Sequence, residues 1–509
     1  MVANMLQTKW KLLKSGTDIR GVATEGVPGE EVNLTDDAVA RITMGFAIWL
    51  HEHHSSKKAI KIAVGNDSRL SGPRLRQIVI DTLCSVGVEV VDCGLSSTPA
   101  MFMTIVHLGC DGAIQITASH HPFQRNGLKF FGKNGGLDGT DIVSILECAQ
   151  KDDHLPPAEG TLITCDFMKN YAAILRKMIC SKVNAADYEH PLAGYKIIVD
   201  AGNGVGGFYA TDVLEPLGAD ITGSQFLDPD GRFPNHIPNP EDATAMSFIQ
   251  KATMEHHADL GIIFDTDVDR AGCVDSRGEE INRNRLVALA SAIALEGNPG
   301  GTIVTDSITS SGLKIFIEKE LGGTHWRFKR GYKNVINEAI RLNDLDINTP
   351  LAIETSGHAA LRENFFLDDG AYLMTKIIIK MAQLGAQGRT LDYLIQNLAE
   401  PVETQELRFC ITTDRFAEYG NRVISDLLKY AGAQKWHVAS DNHEGIRVNF
   451  DKDKGDGWFL LRLSVHDPIM PLNIESDTPG GVKIIAEQLF EYLKTCDQLD
   501  LTPIEKFLG

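Results

Sequence analysis

The sequence predicts an α/β protein, and three observations carry that prediction. Short apolar runs end in polar loops. Residues 60–64 lead into Gly65-Asn66-Asp67-Ser68-Arg69-Leu70-Ser71-Gly72, and Tyr195-Lys196-Ile197-Ile198-Val199 leads into Asp200-Ala201-Gly202-Asn203-Gly204. Leu260-Gly261-Ile262-Ile263-Phe264 ends in Asp265, and Thr302-Ile303-Val304 ends in Thr305-Asp306-Ser307. Helical patterns follow these loops, so the runs read as buried strands with helices packed on the sheets and function at the strand ends. The unit recurs along 509 residues, a length for about three or four domains, which suggests several related units.

Taken in order, the first such unit runs from the strand at 60–64 through a helix over residues 73–86 and a strand over residues 89–91. Gly94-Leu95-Ser96-Ser97-Thr98-Pro99 then leads to a further apolar run, Gly112-Ala113-Ile114-Gln115-Ile116, and to Thr117-Ala118-Ser119-His120-His121-Pro122. Asn126-Gly127-Leu128-Lys129-Phe130-Phe131 reads as the next strand, with the Asn-Gly pair favouring a turn before it. The arrangement exposes a hydroxyl beside an imidazole, with the amine of Lys129 ten residues on. Read locally, Ser119 is a turn serine bonded to its own backbone, an acyl-transfer nucleophile or a phosphoryl carrier. The Gly-x-Ser-x-Gly elbow of acyl-transfer enzymes is absent.

Composition narrows the function classes. Hydrophobic residues make up 43% and charged residues 23%, as in an ordinary globular chain. Lysine plus arginine total 49 against 68 aspartate plus glutamate, for a net charge of −19. That surface repels nucleic acid and anionic membrane, so neither is an expected partner, and an anionic substrate needs a local basic site. The 9 cysteines show no Cys-x-x-Cys, which suits free thiols in a reducing compartment. No apolar run reaches membrane-spanning length, and the first ten residues lack a secretory or transit pattern. The expected location is the cytoplasm, or a plastid or other organelle where a targeting segment precedes this numbering.

A second chemical signal is Phe264-Asp265-Thr266-Asp267-Val268-Asp269-Arg270. Three alternating carboxylates behind a buried strand repel one another unless a cation sits among them, and oxygen-only ligands favour magnesium over zinc. A calcium EF-hand is excluded because its sixth position is Arg270 and its twelfth Ser276, where glycine and glutamate are required. A phosphatase with an aspartyl nucleophile also places Asp-x-Asp behind a strand; there Asp265 attacks and Asp267 is the acid/base.

The serine loop resembles that of the α-D-phosphohexomutases (phosphoglucomutase, phosphomannomutase and phosphoglucosamine mutase), whose Thr-Ala-Ser-His-Asn-Pro and Asn-Gly-x-Lys carry a phosphorylated serine. His121 stands where that family has asparagine. The resemblance spans almost the whole chain and implies three related α/β sheet domains plus a smaller α+β C-terminal domain around a central cleft. The implied domains are 1–188 with the phosphoserine loop, 189–299 with the metal loop, 300–399 for sugar recognition and 400–509 for phosphate binding. Ser119 becomes the phosphoryl carrier and, with Asp265, Asp267 and Asp269, a ligand of Mg²⁺. Thr266 replaces the family's glycine. The resemblance also places Arg20, in a loop ending Ile19-Arg20-Gly21, and His120, Lys129, Arg270 and His358 in the catalytic machinery. Arg69 is expected mainly as a structural salt-bridge partner.

For the substrate it implies Lys333 (Lys329 being the lesser candidate), Glu354 and Ser356 of Glu354-Thr355-Ser356-Gly357-His358, and the C-terminal phosphate loop. That loop departs most. The family's Arg-x-Ser-Gly-Thr-Glu-Pro reads Arg462-Leu463-Ser464-Val465-His466-Asp467-Pro468, and the family's second arginine, three residues after the proline, is Pro471. Arg462 and Ser464 remain, His466 replaces threonine as donor, and Arg447 is a candidate to compensate. The implied reaction interconverts hexose 1-phosphate and hexose 6-phosphate, glucose foremost, through phosphoserine and a hexose 1,6-bisphosphate that also serves as activator. A synthase releasing glucose 1,6-bisphosphate, and a non-catalytic regulatory relative, stay open beside it. The expected partner is a phosphorylated hexose, with the chain a monomer or homodimer.

Overall fold

The computed structural model describes residues 6–53, 60–464 and 467–509. The chain divides into two compact units, residues 1–286 with 356–393 and residues 287–355 with 394–509. No helix among the described residues is long and apolar enough to cross a membrane.

The first unit holds two sheets. In the larger, the strand Lys61–Asn66 lies parallel to Glu89–Leu95 on one side and Gly112–Ile116 on the other, and Thr161–Thr164 extends the sheet beyond Glu89–Leu95. Arg125–Gly132 then pairs antiparallel with Gly112–Ile116, and Asp18–Val22 with Arg125–Gly132. The central strands are largely apolar because helices pack on the sheet. One face, with Ile62, Val64, Ile114, Ile116, Leu128 and Phe130, packs on the helices Asp36–His53, Gly72–Cys84 and Gly139–Lys151. Alternation along a strand therefore turns Lys129, directly opposite Gln115, to the other face.

The Asn126-Gly127 pair makes no turn; both residues lie within Arg125–Gly132. The physical reason is space. A Cβ on Gly127 would sit 2.3 Å from the Ile19 carbonyl oxygen and 2.8 Å from that of Thr117, so glycine lets three chain segments close up around the serine loop. The helix expected over residues 73–86 runs Gly72–Cys84, and the strand expected over 89–91 runs to Leu95.

The second sheet of this unit pairs Ile197–Asp200 parallel with Leu260–Phe264, which is antiparallel to Ala271–Asp275. A hairpin of Ala359–Leu361 and Leu367–Asp368 belongs to the same unit.

The second unit contains the parallel strands Thr324–Arg327, Thr302–Thr305 and Leu351–Ile353. It also contains an antiparallel sheet ordered Glu403–Cys410, Ile469–Ser476, Gly457–Leu461, Ile446–Phe450, His437–Val438. Leu407, Phe409, Leu461, Met470 and Leu472 of that sheet form one core with the helices Phe416–Ala433 and Gly481–Leu493. The units thus combine several mixed α/β sheets with helices packed on them.

Candidate active site

Ser119 sits just past the strand Gly112–Ile116, buried, with φ of 50°. That left-handed conformation is uncommon for serine and needs outside support. Thr117 Oγ1 accepts from the Ser119 amide at 2.9 Å, and Asp67 Oδ2 accepts from the Thr117 hydroxyl at 2.6 Å. Arg69 closes the loop from beneath. Its guanidinium donates to the carbonyls of Ser119 and His121, to Pro122 at 2.9 Å and to Arg125 at 2.8 Å. Arg69 is 1% exposed and its Nε lies 3.3 Å from Asp67 Oδ2, so it is a structural residue. Burial and then Arg69, pulling in opposite directions, leave the Asp67 carboxyl raised to about 6.

The serine hydroxyl meets the aspartate loop directly. Ser119 Oγ donates to Asp265 Oδ2 at 3.0 Å and accepts from Arg270 Nη2 at 3.2 Å. Arg270 also donates through Nε to Asp265 Oδ2 at 3.3 Å, through Nη1 to Asn239 Oδ1 at 3.0 Å and through Nη2 to His120 Nδ1 at 2.6 Å. His120 Nδ1 lies 3.2 Å from Ser119 Oγ. Accepting from a guanidinium, that nitrogen carries no proton, and burial followed by the Arg270 charge lowers His120 to about 2. His121 stacks on it, and burial followed by Arg20 lowers it to about 3. Arg20 itself donates to Asp18 Oδ2 at 2.8 Å.

Asp265, Asp267 and Asp269 are all buried, with carboxylate oxygens within 4.8 Å of one another. Val268 between them holds φ of 66°, a strained value for a β-branched residue, as the loop turns all three inward. Lys129 Nζ lies 3.1 Å from Asp267 Oδ2 and bonds Asp269 Oδ2 as well. Thr98 donates its hydroxyl to Asp267 Oδ2 and its amide to the Asp267 carbonyl at 2.9 Å. Burial, then the charges of Asp269 and Asp267, hold Asp265 well above the usual carboxylate range. Burial would raise Asp269 too, but Lys129, His358 and Arg270 bring it below that range.

The Oδ1 atoms of Asp267 and Asp269 are buried without a hydrogen-bond partner. His358 Nδ1 at 3.9 Å and Arg270 Nε at 4.0 Å stop short of the latter. Buried carboxylate oxygens without a protein donor are costly, and a hard divalent cation relieves both that cost and the repulsion. The donor set fits Mg²⁺.

His358 bonds Asp368 Oδ2 through Nδ1. Burial lowers His358, yet Asp368 and Asp269 outweigh it and raise the imidazole to about 9. Ser356 is buried in the same unit. Arg20, Ser119, His120, Lys129, the three aspartates, Arg270, Ser356 and His358 all belong to the first unit.

The remaining residues expected to meet substrate belong to the second unit. Glu354 follows the strand Leu351–Ile353 and accepts from the Gly331 amide at 2.6 Å. Lys333 stands in the first turn of Tyr332–Asp344. Arg462 is half-buried; burial pulls its guanidinium down against the opposing charge of Glu444. Ser464 donates its amide to the Ile469 carbonyl at 3.0 Å and accepts from the Asp467 amide at 3.3 Å. His466 lies outside the described residues. Arg447 does not compensate for the missing arginine. It is 3% exposed, packs 3.5 Å from the Trp458 ring centroid and donates through Nη1 to the carbonyls of Ser307 and Thr309 at 3.1 Å each. Its Nη2 is buried without a hydrogen-bond partner.

Thr98 and Asp368 bear on the site without having been read from the sequence. Thr98 lies in a Ser-Ser-Thr-Pro string that signals only a helix start, with Ser97 as cap.

Models of phosphoglucomutase/phosphomannomutase alpha/beta/alpha domains I, II and III match residues 12–155, 170–278 and 282–402. A phosphoglucomutase of Neisseria gonorrhoeae is 30% identical over 472 residues, covering 92% of this chain and 94% of its own. A phosphomannomutase/phosphoglucomutase of Pseudomonas aeruginosa is 28% identical over 462 residues, 90% of this chain and 93% of its own. Among solved structures, a phosphoglucomutase/phosphomannomutase family protein from Burkholderia thailandensis has a TM-score of 0.79 at 25% identity, covering 97% of this chain and 98% of that one. A Paramecium phosphoglucomutase, pp63/parafusin, shares the fold with a TM-score of 0.67 at 16% identity, covering 92% of each chain.

Proposed function

The chain belongs to the phosphoglucomutase/phosphomannomutase family and is a phosphohexomutase, and from that premise we propose that it interconverts glucose 1-phosphate and glucose 6-phosphate through phosphoserine at Ser119 and glucose 1,6-bisphosphate. The observation that carries this reading is the hydroxyl of Ser119, bonded at once to Asp265 and Arg270 inside a buried carboxylate cluster.

Asp265, Asp267 and Asp269 would hold Mg²⁺, which when bound neutralises charge on phosphoryl oxygens. The rest is done by side chains. Arg270 fixes the Ser119 oxygen and offers donors to a transferring phosphoryl group. His120, whose Nδ1 accepts from Arg270 and lies beside Ser119 Oγ, holds that guanidinium at the serine oxygen. Lys129 and His358 are the proposed proton carriers, and His358, held charged beside Asp368, enters as a donor. Glu354 and Ser356 are assigned to sugar hydroxyls, Lys333 to the substrate's polar edge, and Arg462 with Ser464 and His466 to the phosphate not reacting. Burial keeps water from the phosphoserine. Domains at 1–188, 189–299, 300–399 and 400–509, and a cytoplasmic location, belong to the same proposal.

Phosphorus NMR of products from glucose, mannose and N-acetylglucosamine 1-phosphates, each with catalytic glucose 1,6-bisphosphate, tests it. Glucose 6-phosphate forming fastest is expected. In a parallel arm supplied with a stoichiometric non-hexose bisphosphate as phosphoryl donor, glucose 1,6-bisphosphate accumulating in place of glucose 6-phosphate overturns the mutase cycle in favour of a synthase; inorganic phosphate in either arm overturns it in favour of a phosphatase.

A further inference from the structure

The antiparallel sheet of the second unit sets Arg408, which no motif marks, in one row with two positions of the C-terminal phosphate loop. Arg408 on Glu403–Cys410 stands directly opposite Pro471 on Ile469–Ser476. On the other side of Pro471, Leu461 pairs with Leu472, and the Arg462 amide donates to the Pro471 carbonyl at 3.1 Å. Arg408, Pro471 and Arg462 therefore form one row across three chain segments. Their neighbours Leu407, Phe409, Leu461, Met470 and Leu472 all point into the core. Alternation then sends the row to the opposite face. Two guanidinium-bearing residues are thus rooted about 10 Å apart, two strand spacings, with a small apolar ring between them.

The charges around the row fit an anion site kept neutral while empty. Arg408 is 67% exposed and donates through Nε to Glu406 Oε1 at 2.8 Å. Glu406, two residues along the same face, also accepts from Asn473 at 3.4 Å. An exposed pair of this kind holds its arginine weakly, so the guanidinium is available to a more highly charged partner. Arg462 lies in the field of Glu444, Arg330, Asp306 and Glu406, and its Nε is buried without a hydrogen-bond partner. A phosphate dianion accepts bidentate bonds from both guanidiniums at once, which neither carboxylate geometry here offers.

We propose that Arg408 is a phosphate-binding residue, which with Arg462 forms a two-guanidinium clamp over Pro471 for the phosphate of the hexose that is not reacting at Ser119. The inference rests on the mutase reading. It explains how the chain does without an arginine at 471: the charge is supplied from the neighbouring strand, one spacing away.

The test uses the full-length protein and 1,5-anhydroglucitol 6-phosphate, which lacks the C1 hydroxyl and so cannot accept a phosphoryl group there. Its Kd, by calorimetry, reads binding without chemistry. Arg408→Gln should weaken it about tenfold, and Arg462→Gln at least as much. Adding Pro471→Arg to Arg408→Gln should restore most of the affinity, because the new guanidinium roots between the two. Salt should weaken the wild-type complex more than the Arg408→Gln complex. A Kd within about twofold of wild type for Arg408→Gln, while Arg462→Gln loses affinity, overturns the clamp. So does a wild-type protein that does not bind the probe. Failure of the mutase reading looks different: the wild type binds the probe with the Arg408 dependence intact yet converts no hexose phosphate.

Discussion

Arg69→Lys should loosen the serine loop far more than a charge-conserving substitution suggests. The guanidinium meets four carbonyls, those of Ser119, His121, Pro122 and Arg125, and its Nε faces the Asp67 carboxylate at 3.3 Å. An ammonium has only three donors, on a single atom. At least one of the four carbonyls loses its partner, and a bare buried acceptor costs about 1–3 kcal/mol. The cost falls on the loop, since that is where the carbonyls are. At the lower bound, opening of residues 117–125 becomes about fivefold more frequent. Hydrogen exchange of peptides covering those residues measures it. Turnover should fall in parallel, because a displacement of about 1 Å at a reacting group costs on the order of a hundredfold. Exchange within about twofold of wild type would reduce Arg69 to a generic buried cation.

Thr98→Val removes the hydroxyl that bonds Asp267 Oδ2, and should weaken Mn²⁺ binding, read by electron paramagnetic resonance, by about ten- to a hundredfold. Chelation of divalent cations should stop turnover in the wild type, and full activity in metal-free buffer would remove the metal assignment. The buried pair of His236 and Asp200 gives a pH prediction. His236 Nε2 lies 3.0 and 3.1 Å from the two Asp200 oxygens and Nδ1 lies 2.9 Å from the Ile237 carbonyl, so both nitrogens donate. Burial lowers this histidine, but Asp200 raises it above its ordinary value overall. A raised folded-state value means stability fully present below the unfolded pKa of about 6.5 and lost as pH rises through the folded one. Thermal midpoints should therefore fall with rising pH more steeply in the wild type than in His236→Asn, where Gln225 and the Gly202 amide still donate to Asp200 but no group titrates with it. Parallel pH profiles would contradict this.

The parts of the site legible in the sequence are those a strand end announces. Ser119 and Asp265 each follow a continuous apolar run, and the alternation of Asp265, Asp267 and Asp269 has no stable arrangement without positive charge nearby. What stayed hidden depends on contacts between distant segments. Thr98 reaches Asp267 across 169 positions, and nothing local to either predicts it. Asn126-Gly127 carries the composition of a turn, yet its glycine serves close approach of backbone to backbone. Arg447 was a reasonable substitute for a missing arginine by composition, but it is walled in against Trp458. Arg408, remote in sequence from the phosphate loop, is beside Pro471 only because of strand register.

The central claim is that Ser119 carries the phosphoryl group, and one measurement addresses it most directly. The wild-type protein is incubated with glucose 1,6-bisphosphate and Mg²⁺, quenched in acid and digested, and the phosphorylated position is located by mass spectrometry. One acid-stable phosphate is expected on the peptide containing Ser119, absent from Ser119→Ala, and returned to glucose 1-phosphate or glucose 6-phosphate when either is added before the quench. An acid-stable serine phosphate elsewhere, or acyl phosphate on Asp265 trapped by reduction with borohydride while Ser119 stays bare, would contradict it.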